Sequence, residues 1–263
     1  MDLNTLSAFK IQAGLDTRFI GRTVVYRTEI GSTNDEAKRL ARAGAPEGTV
    51  VIADCQNRGR GRLNREWAAP PGSGLLMSLI FRPKLATHQV QRLTILCGLA
   101  VADAIELQTG LQVGLKWPND AVIAGRKVCG ILSEIEFEGP KVSFAVVGIG
   151  INVNLDPALL PADLPLTATS LSRELGAEVA RLPLLQALLQ KIEERYSMLG
   201  AAQSLHSQWA ARLVTLGRPV TVSGTVPALE GMAESVDADG ALLVRLADGR
   251  LEKVLAGDVS VRG

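Results

Sequence analysis

The sequence predicts an α+β fold, and three observations carry that expectation. Helix-period segments are mixed with clustered β-branched runs over residues 1–215. From Leu216 the texture changes to short apolar runs broken by Gly and Asp-Gly turns. The chain has 263 residues, 47% of them hydrophobic and 21% charged, enough to bury a sizeable core. We therefore expect a mixed sheet with flanking helices at 1–215, in which 1–21 form an N-terminal extension. A small all-β module follows at 216–263.

Taken in order, residues 22–27, RTVVYR, read as a strand. A helix follows in STNDEAKRLARAG, with Ser32 or Thr33 as cap. Asp35 and Glu36 lie in its first turn, and Lys38, Arg39 and Arg42 come late, the charge order that suits the helix dipole. GTVVIAD (48–54) and GLLMSLIFRP (74–83) read as strands, the second ended by Pro83. From Thr87 to Thr109, Leu93, Leu96, Cys97, Ala100, Val101 and Ala104 recur at helical spacing, and Gly110 stands as a stop. Residues 111–139 read as three strands with turns at KWPND and AGRK, and 141–154 as another strand. A proline-spaced connection covers 155–170. The last helix runs from Leu184 to Tyr196 and on toward Trp209.

The charge balance is nearly even, 28 basic residues against 27 acidic, which speaks against a general electrostatic coat on nucleic acid. Cys55, Cys97 and Cys129 are scattered and never form a C-x-x-C pair, so they support neither a disulfide framework nor a metal site. The first residues carry no leader pattern, and the most apolar stretch, LTILCGLAVADAIEL, includes Asp103 and Glu106 and is too short to span a bilayer. A cytoplasmic protein is expected, with no membrane partner.

Against that neutral body, CQNRGRGRLNREW (55–67) crowds Arg58, Arg60, Arg62 and Arg65 around Gly59 and Gly61. One reading is a solvated turn whose arginines pair with nearby carboxylates. The other is a phosphate or carboxylate clamp. Glycines let the backbone approach an anion, guanidinium forks match its oxygens, and the loop follows directly on a buried strand. No Walker A pattern is present. KWPND (116–120) sets Lys116 at a strand end beside Trp117 and Pro118. STN (32–34) offers small polar groups at a helix start, and GIGIN (148–152) is a glycine-rich strand.

Read in order, these pieces resemble the biotin protein ligase family. S-T-N is Ser32–Asn34, Q-x-x-G-R-G-R-x-x-R-x-W is Gln56–Trp67, and P-P-G-S-G-L is Pro70–Leu75. K-W-P-N-D is Lys116–Asp120, G-R-K-x-x-G-I-L is Gly125–Leu132, and G-x-G-I-N-V-N is Gly148–Asn154. The resemblance covers nearly the whole chain from residue 22. It implies a catalytic domain like those of class II aminoacyl-tRNA synthetases and biotin/lipoate ligases, with an SH3-like β-barrel at the C-terminus. It also implies ATP, Mg²⁺ and biotin as reactants, a biotin carboxyl carrier protein as acceptor, and a homodimer.

By the same resemblance, Ser32, Thr33, Asn34 and Gln56 hold the biotin ring, and Arg60, Gly61 and Arg62 wrap its tail and the acyl-phosphate link. Arg65 lies on the phosphate side. Lys116 is the main catalytic cation, close to the carboxylate and α-phosphate, Lys127 a second cation near the acyl-adenylate, and Asn152 an adenine contact. Catalysis falls to Lys116, Arg62 and Arg65, with no protein metal site assigned. Trp67 packs to order the loop, which moves on ligand binding. The resemblance implies that no nucleophilic side chain is needed, which fits a chain with only His88 and His206 and no serine-nucleophile motif.

Two departures stand out. Asn64 replaces a frequent Gly and is expected to hold the left-handed turn there. Arg58 replaces a small residue and is expected to form a surface salt bridge. Residues 1–21 leave no room for the winged-helix domain of repressor-type members, so sequence-specific DNA binding is not expected. The alternatives are a lipoate ligase or octanoyltransferase of the same fold and a nucleic-acid module using the arginine loop. The first lacks these motifs, and the second would want interleaved aromatics.

Overall fold

The computed structural model describes residues 3–139, 141–156, 168–199, 202–224, 228–255 and 257–261. Seven strands build the main sheet: β1 (Val24–Ile30), β2 (Val50–Gln56), β3 (Gly74–Phe81), β4 (Gly114–Lys116), β5 (Asp120–Ile123), β6 (Arg126–Glu138) and β7 (Lys141–Asn152). Their order is β1-β2-β3-β7-β6-β5-β4. β1 runs parallel to β2 and every other pairing is antiparallel, so the sheet is mixed.

Strand alternation divides the sheet into two faces. On one, Val50, Ile52, Met77, Leu79, Phe81, Ala145, Val147, Ile149 and Ile151 join the large core beneath the helices α3 (Gln91–Thr109) and α5 (Arg181–Tyr196). On the other, Val51, Ile80, Phe144 and Val146 meet Ala37 and Ala41 of α2 (Thr33–Arg42). Helix α3 is buried from Leu93 to Ala102, apolar all round as a central helix must be, and Gly110 closes it in the left-handed region at φ 72°.

The C-terminal module is a five-stranded antiparallel sheet of β8 (Pro219–Ser223), β9 (Leu229–Val236), β10 (Leu242–Arg245), β11 (Leu251–Val254) and β12 (Asp258–Val261), ordered β11-β10-β9-β8-β12. Its inward residues, among them Val220, Val222, Ala233, Leu242 and Val244, belong to the same core as the main sheet. Among the described residues no helix is long and apolar enough to cross a membrane.

The structure adds to some expectations and corrects others. The N-terminal extension contains a helix, α1 (Ala8–Ala13), capped by Ser7, whose hydroxyl accepts from Lys10 N at 3.2 Å. Leu6, Ile11, Leu15 and Ile20 bury themselves in the core, and Glu193 accepts the N–H groups of Arg18, Phe19 and Ile20. Thr87–Gln89 form a separate 3₁₀ turn ahead of α3. The last helix divides into α5 and α6 (Ala202–Arg212), and α5 starts three residues earlier than expected, at Arg181. A short helix, α4 (Leu171–Leu175), follows the connection at 155–170, of which 157–167 lie outside the described residues.

Candidate functional site

On the α2 side of the sheet, the residues of β7 change from large to small. Phe144 and Val146 pack under the helix, and the same face continues as Gly148, Gly150 and Asn152. β6 sets Gly130 opposite Gly150, and β3 sets Ser78 opposite Gly148. A Cβ on Gly148 would stand 2.2 Å from Asn34 Oδ1. One on Gly150 would stand 2.5 Å from Trp67 Cε2, and one on Gly130 2.8 Å from Trp67 Cζ3. The glycines therefore form a shallow trough in which Asn34 and Trp67 lie.

At one end of the trough the STN turn meets β2. Gln56 Oε1 accepts both the Thr33 N–H at 2.8 Å and the Thr33 hydroxyl at 3.0 Å. Ser78 Oγ lies 2.8 Å from Thr33 Oγ1 and 2.6 Å from Asn34 Oδ1. Asn34 Nδ2 donates to Leu132 O and to Glu134 Oε2. Asn34 is thus a hub of the fold, satisfied within the protein. The Ser32 hydroxyl makes no capping bond to α2 and no hydrogen bond among the described residues.

The arginine loop is a tight hairpin. Gly61 N–H donates to Arg65 O at 2.7 Å and Trp67 N–H to Gly59 O at 3.0 Å, with a 3₁₀ turn at Arg62–Asn64 between them. Gly59 is required because a Cβ there would meet Trp67 O at 2.3 Å. Gly61 N–H bonds across the loop and so is not aimed outward at an anion. The left-handed residue is Leu63, at φ 55°, and not Asn64. The turn reverses one residue earlier than expected, leaving the Leu63 side chain 62% exposed at its tip.

Each arginine has a definite place. Arg60 pairs with Asp35 at 2.5 Å and lies 3.8 Å from Glu134, while Lys38 bonds both carboxylates. Burial alone would raise the Asp35 carboxyl, but hydrogen bonds from Arg60 and Lys38 hold it below its ordinary range. Arg62 reaches Asn119 Oδ1 at 3.2 Å and Gly257 O at 3.0 Å, and Arg65 pairs with Asp258. Burial pushes the Arg62 guanidinium down, partly offset by the nearby Asp258 and Asp120. Arg58, expected in a salt bridge, forms none among the described residues. Its guanidinium lies over Gly31, where a Cβ would come 2.9 Å from Nη2. The solvated-turn reading is thus right about the pairing of Arg60 and Arg65.

The KWPND turn is anchored by Trp117, which is 2% exposed, forms a cis bond to Pro118 and donates from Nε1 to Gly240 O at 2.9 Å. Next to this fixed ring, Lys116 is half-buried, and its side chain has no ion pair or hydrogen bond among the described residues. Lys127 Nζ stands 2.7 Å from Asp120 Oδ1 and 5.5 Å above the Trp67 ring. Asn152 Nδ2 donates to Thr169 O at 3.0 Å. Trp67 Nε1 is buried without a hydrogen-bond partner among the described residues.

Lys116 lies in the same cross-strand row as Asp120, Gly130 and Gly150, with Lys127 over Trp67 and Arg62 on Asn119. Of these three cations only the Lys116 side chain lacks a partner among the described residues. Such a site neutralises anionic groups brought into it. Sequence reasoning missed Asp35, Glu134, Asn119 and Asp258 as partners of the arginines. Asn119 and Asp120 lay inside a quoted motif, whereas Asp258 sits far down the chain with no local signal. Cys55 is a half-buried free thiol on β2, and burial pushes the Cys97 and Cys129 thiols up. Among the described residues no cluster of three or more His, Cys, Asp or Glu is placed to hold a metal ion.

Comparison with known proteins bears on this geometry. Residues 25–152 match the Biotin/lipoate A/B protein ligase family, and residues 215–262 match the Biotin protein ligase C terminal domain. The chain is 37% identical over 261 residues to the bifunctional ligase/repressor BirA of Bacillus subtilis, covering 97% of this chain and 79% of that protein. It is 34% identical to the biotin--[acetyl-CoA-carboxylase] ligase of Paracoccus denitrificans, over 83% of this chain and 92% of that one. The biotin protein ligase from Aquifex aeolicus, solved in complex with biotin and ATP, superposes with a TM-score of 0.77 at 28% identity. The match covers 92% of this chain and 99% of that one.

Proposed function

The chain belongs to the biotin protein ligase family, and on that premise we propose that it joins biotin to protein in two steps. Biotin's carboxylate attacks the α-phosphate of ATP, giving biotinyl-5′-AMP and pyrophosphate. A lysine amine of the acceptor then attacks the acyl carbon and releases AMP. The observation that carries this reading is Lys116, without a side-chain partner among the described residues, in one row with the glycine trough and with Lys127 and Arg62 nearby. Bringing two anions together is a large part of the first barrier, and fixed cations lower it. Holding carboxylate and phosphorus in line supplies much of the rest.

Within this reading Ser32, Thr33 and Gln56 orient the biotin ring, and the Ser32 hydroxyl, unbonded among the described residues, supports that role. Asn34 shapes the pocket through the protein's own hydrogen bonds. Arg60 and Gly61 hold the loop over the biotin tail, their side-chain and backbone bonds giving it shape. Arg62, Arg65 and Lys116 act on the reacting carboxylate and phosphates, with Arg65 exchanging Asp258 for phosphate. Lys127 stands near the acyl-adenylate and Asn152 near adenine. Mg²⁺ would enter on the ATP phosphates and neutralise their charge. The candidate carboxylates, Asp120 and Asp258, are each paired with a cation.

The acceptor we propose is the carrier domain of a biotin-dependent carboxylase, in line with the Paracoccus relative's name. We place the boundary between catalytic and C-terminal units at 215/216 and read the antiparallel C-terminal sheet as SH3-like. A homodimer through the sheet edge at β1 fits the exposure of that strand, whereas β4 is covered by Leu213 and Val214. Incubation with biotin, ATP and an apo carrier domain should add one biotinyl group to a single lysine, read by intact mass. Adenylate formation without any acceptor labelling would contradict the second step.

A further inference from the structure

Arg181 is the first residue of α5, yet it is 4% exposed and carries its charge at the end of the helix where the dipole disfavours a cation. Ala180 before it offers no capping side chain. A residue so ill-suited to its own helix calls for another role. Its Nη1 donates to Asp54 Oδ1 at 2.7 Å and to Gly74 O at 3.2 Å, and its Nη2 donates to Asn4 O. Its Nε is buried without a hydrogen-bond partner among the described residues.

The two residues that share Nη1 are the stems of the arginine loop. Asp54 lies two residues before Gln56 at the end of β2, and its carboxylate also accepts from the Tyr26 hydroxyl. Gly74 opens β3, and Gly72 N–H returns to Asp54 O at 3.2 Å. Between β2 and β3 run residues 57–73, with Arg60, Arg62, Arg65 and Trp67. The second stem is also tied from behind. Ser73 O accepts from Val153 N and Asn154 N, and the Asn154 side chain exchanges two 2.9 Å bonds with the Val179 backbone.

We propose that Arg181 is a positioning residue for the loop. By joining both stems through one guanidinium it sets where Gln56 and Trp67 stand over the trough, and so how long biotinyl-5′-AMP is retained. It touches none of the reacting atoms. The inference rests on the ligase reading above.

The test compares the full-length parent with Arg181→Gln and Arg181→Lys, and with Tyr26→Phe, which loosens Asp54 from its other side. KM for biotin, turnover at saturation, the dissociation rate of preformed biotinyl-5′-AMP and the melting temperature are measured. Arg181→Gln should raise KM and speed dissociation about tenfold while saturated turnover stays within about threefold. Arg181→Lys should recover part of this, and Tyr26→Phe should shift dissociation less, in the same direction. Unchanged KM and dissociation in the folded fraction, with only a lower melting temperature, would overturn the inference. Should Arg181→Gln not fold, parent-like dissociation in both Arg181→Lys and Tyr26→Phe overturns it equally. A parent that forms no biotinyl-5′-AMP overturns the ligase reading and this inference together. A parent that forms it, with variants that retain it equally well, overturns the inference alone.

Discussion

Arg62 donates to the backbone carbonyl of Gly257 at 3.0 Å, across 195 positions of chain. The arginine loop thereby rests on the C-terminal sheet, and the adjacent Arg65–Asp258 pair reinforces the contact. Two cations proposed for phosphate chemistry are thus held by the C-terminal module, which also anchors the KWPND turn through Gly240 O.

Lys116 and Arg62 separate activity from stability. Lys116→Ala should cut single-turnover adenylate formation by about a hundredfold or more. Because Lys116 has no described partner, stability should change by no more than about 0.5 kcal/mol. Arg62→Ala should show a similar loss of activity together with about 1–2 kcal/mol of destabilisation, since it strands the Gly257 carbonyl and Asn119. Adenylate formation near the parent rate in either variant would contradict the assigned roles.

The trough predicts a contrast between two glycines. Gly148→Ala drives a methyl into Asn34 Oδ1, a side chain fixed by Ser78, Leu132 and Glu134, and should cost about 1–3 kcal/mol. Gly150→Ala meets the Trp67 ring, which belongs to the loop and can shift. It should raise KM for biotin more than it lowers the unfolding free energy. Equal effects of the two substitutions on KM and on chemical denaturation would count against the trough.

Asp35 gives a pH dependence with a definite sign. Its folded carboxyl titrates below the ordinary 3.8, so its contribution to stability is present above that value and lost as pH falls through the folded pKa. Asp35→Asn should lower the melting temperature at neutral pH, and the gap to the parent should close in acid below 3.8. A gap that persists unchanged in acid would rule out ionisation as its source.

Trp117→Phe keeps the buried ring but removes the Nε1–H that serves Gly240 O. The stranded carbonyl should cost about 1–3 kcal/mol. If the turn's role is to hold Lys116, saturated turnover should fall while KM for ATP stays within about twofold. Parent-like turnover with the full loss of stability would limit Trp117 to packing.

Much of this was legible in the sequence wherever the signal was local. The helical period and Gly110 marked α3, β-branched runs marked β2 and β7, a continuous apolar run ended by Pro83 marked β3, and the AGRK turn appears with Ala124 and Gly125 both at positive φ. Ordered motifs located Lys116, Gln56 and the loop. What escaped was long-range. α1 is only six residues long and owes its place to Leu6 and Ile11 in the core and not to its own periodicity. The partners of Arg60, Arg65 and Arg181 lie 25, 193 and 127 positions away, by chain numbers 35, 258 and 54, beyond any pattern window. The reversal at Leu63 was misjudged because residue preference favours Asn in the left-handed region, whereas the cross-loop bond from Gly61 to Arg65 decides where the chain turns.

The central claim is tested most directly by exchange of labelled pyrophosphate into ATP with Mg²⁺, using biotin, lipoate and octanoate in parallel. The account predicts exchange with biotin and none with the other two acids. Exchange driven by lipoate or octanoate instead, or none with any acid, would contradict it.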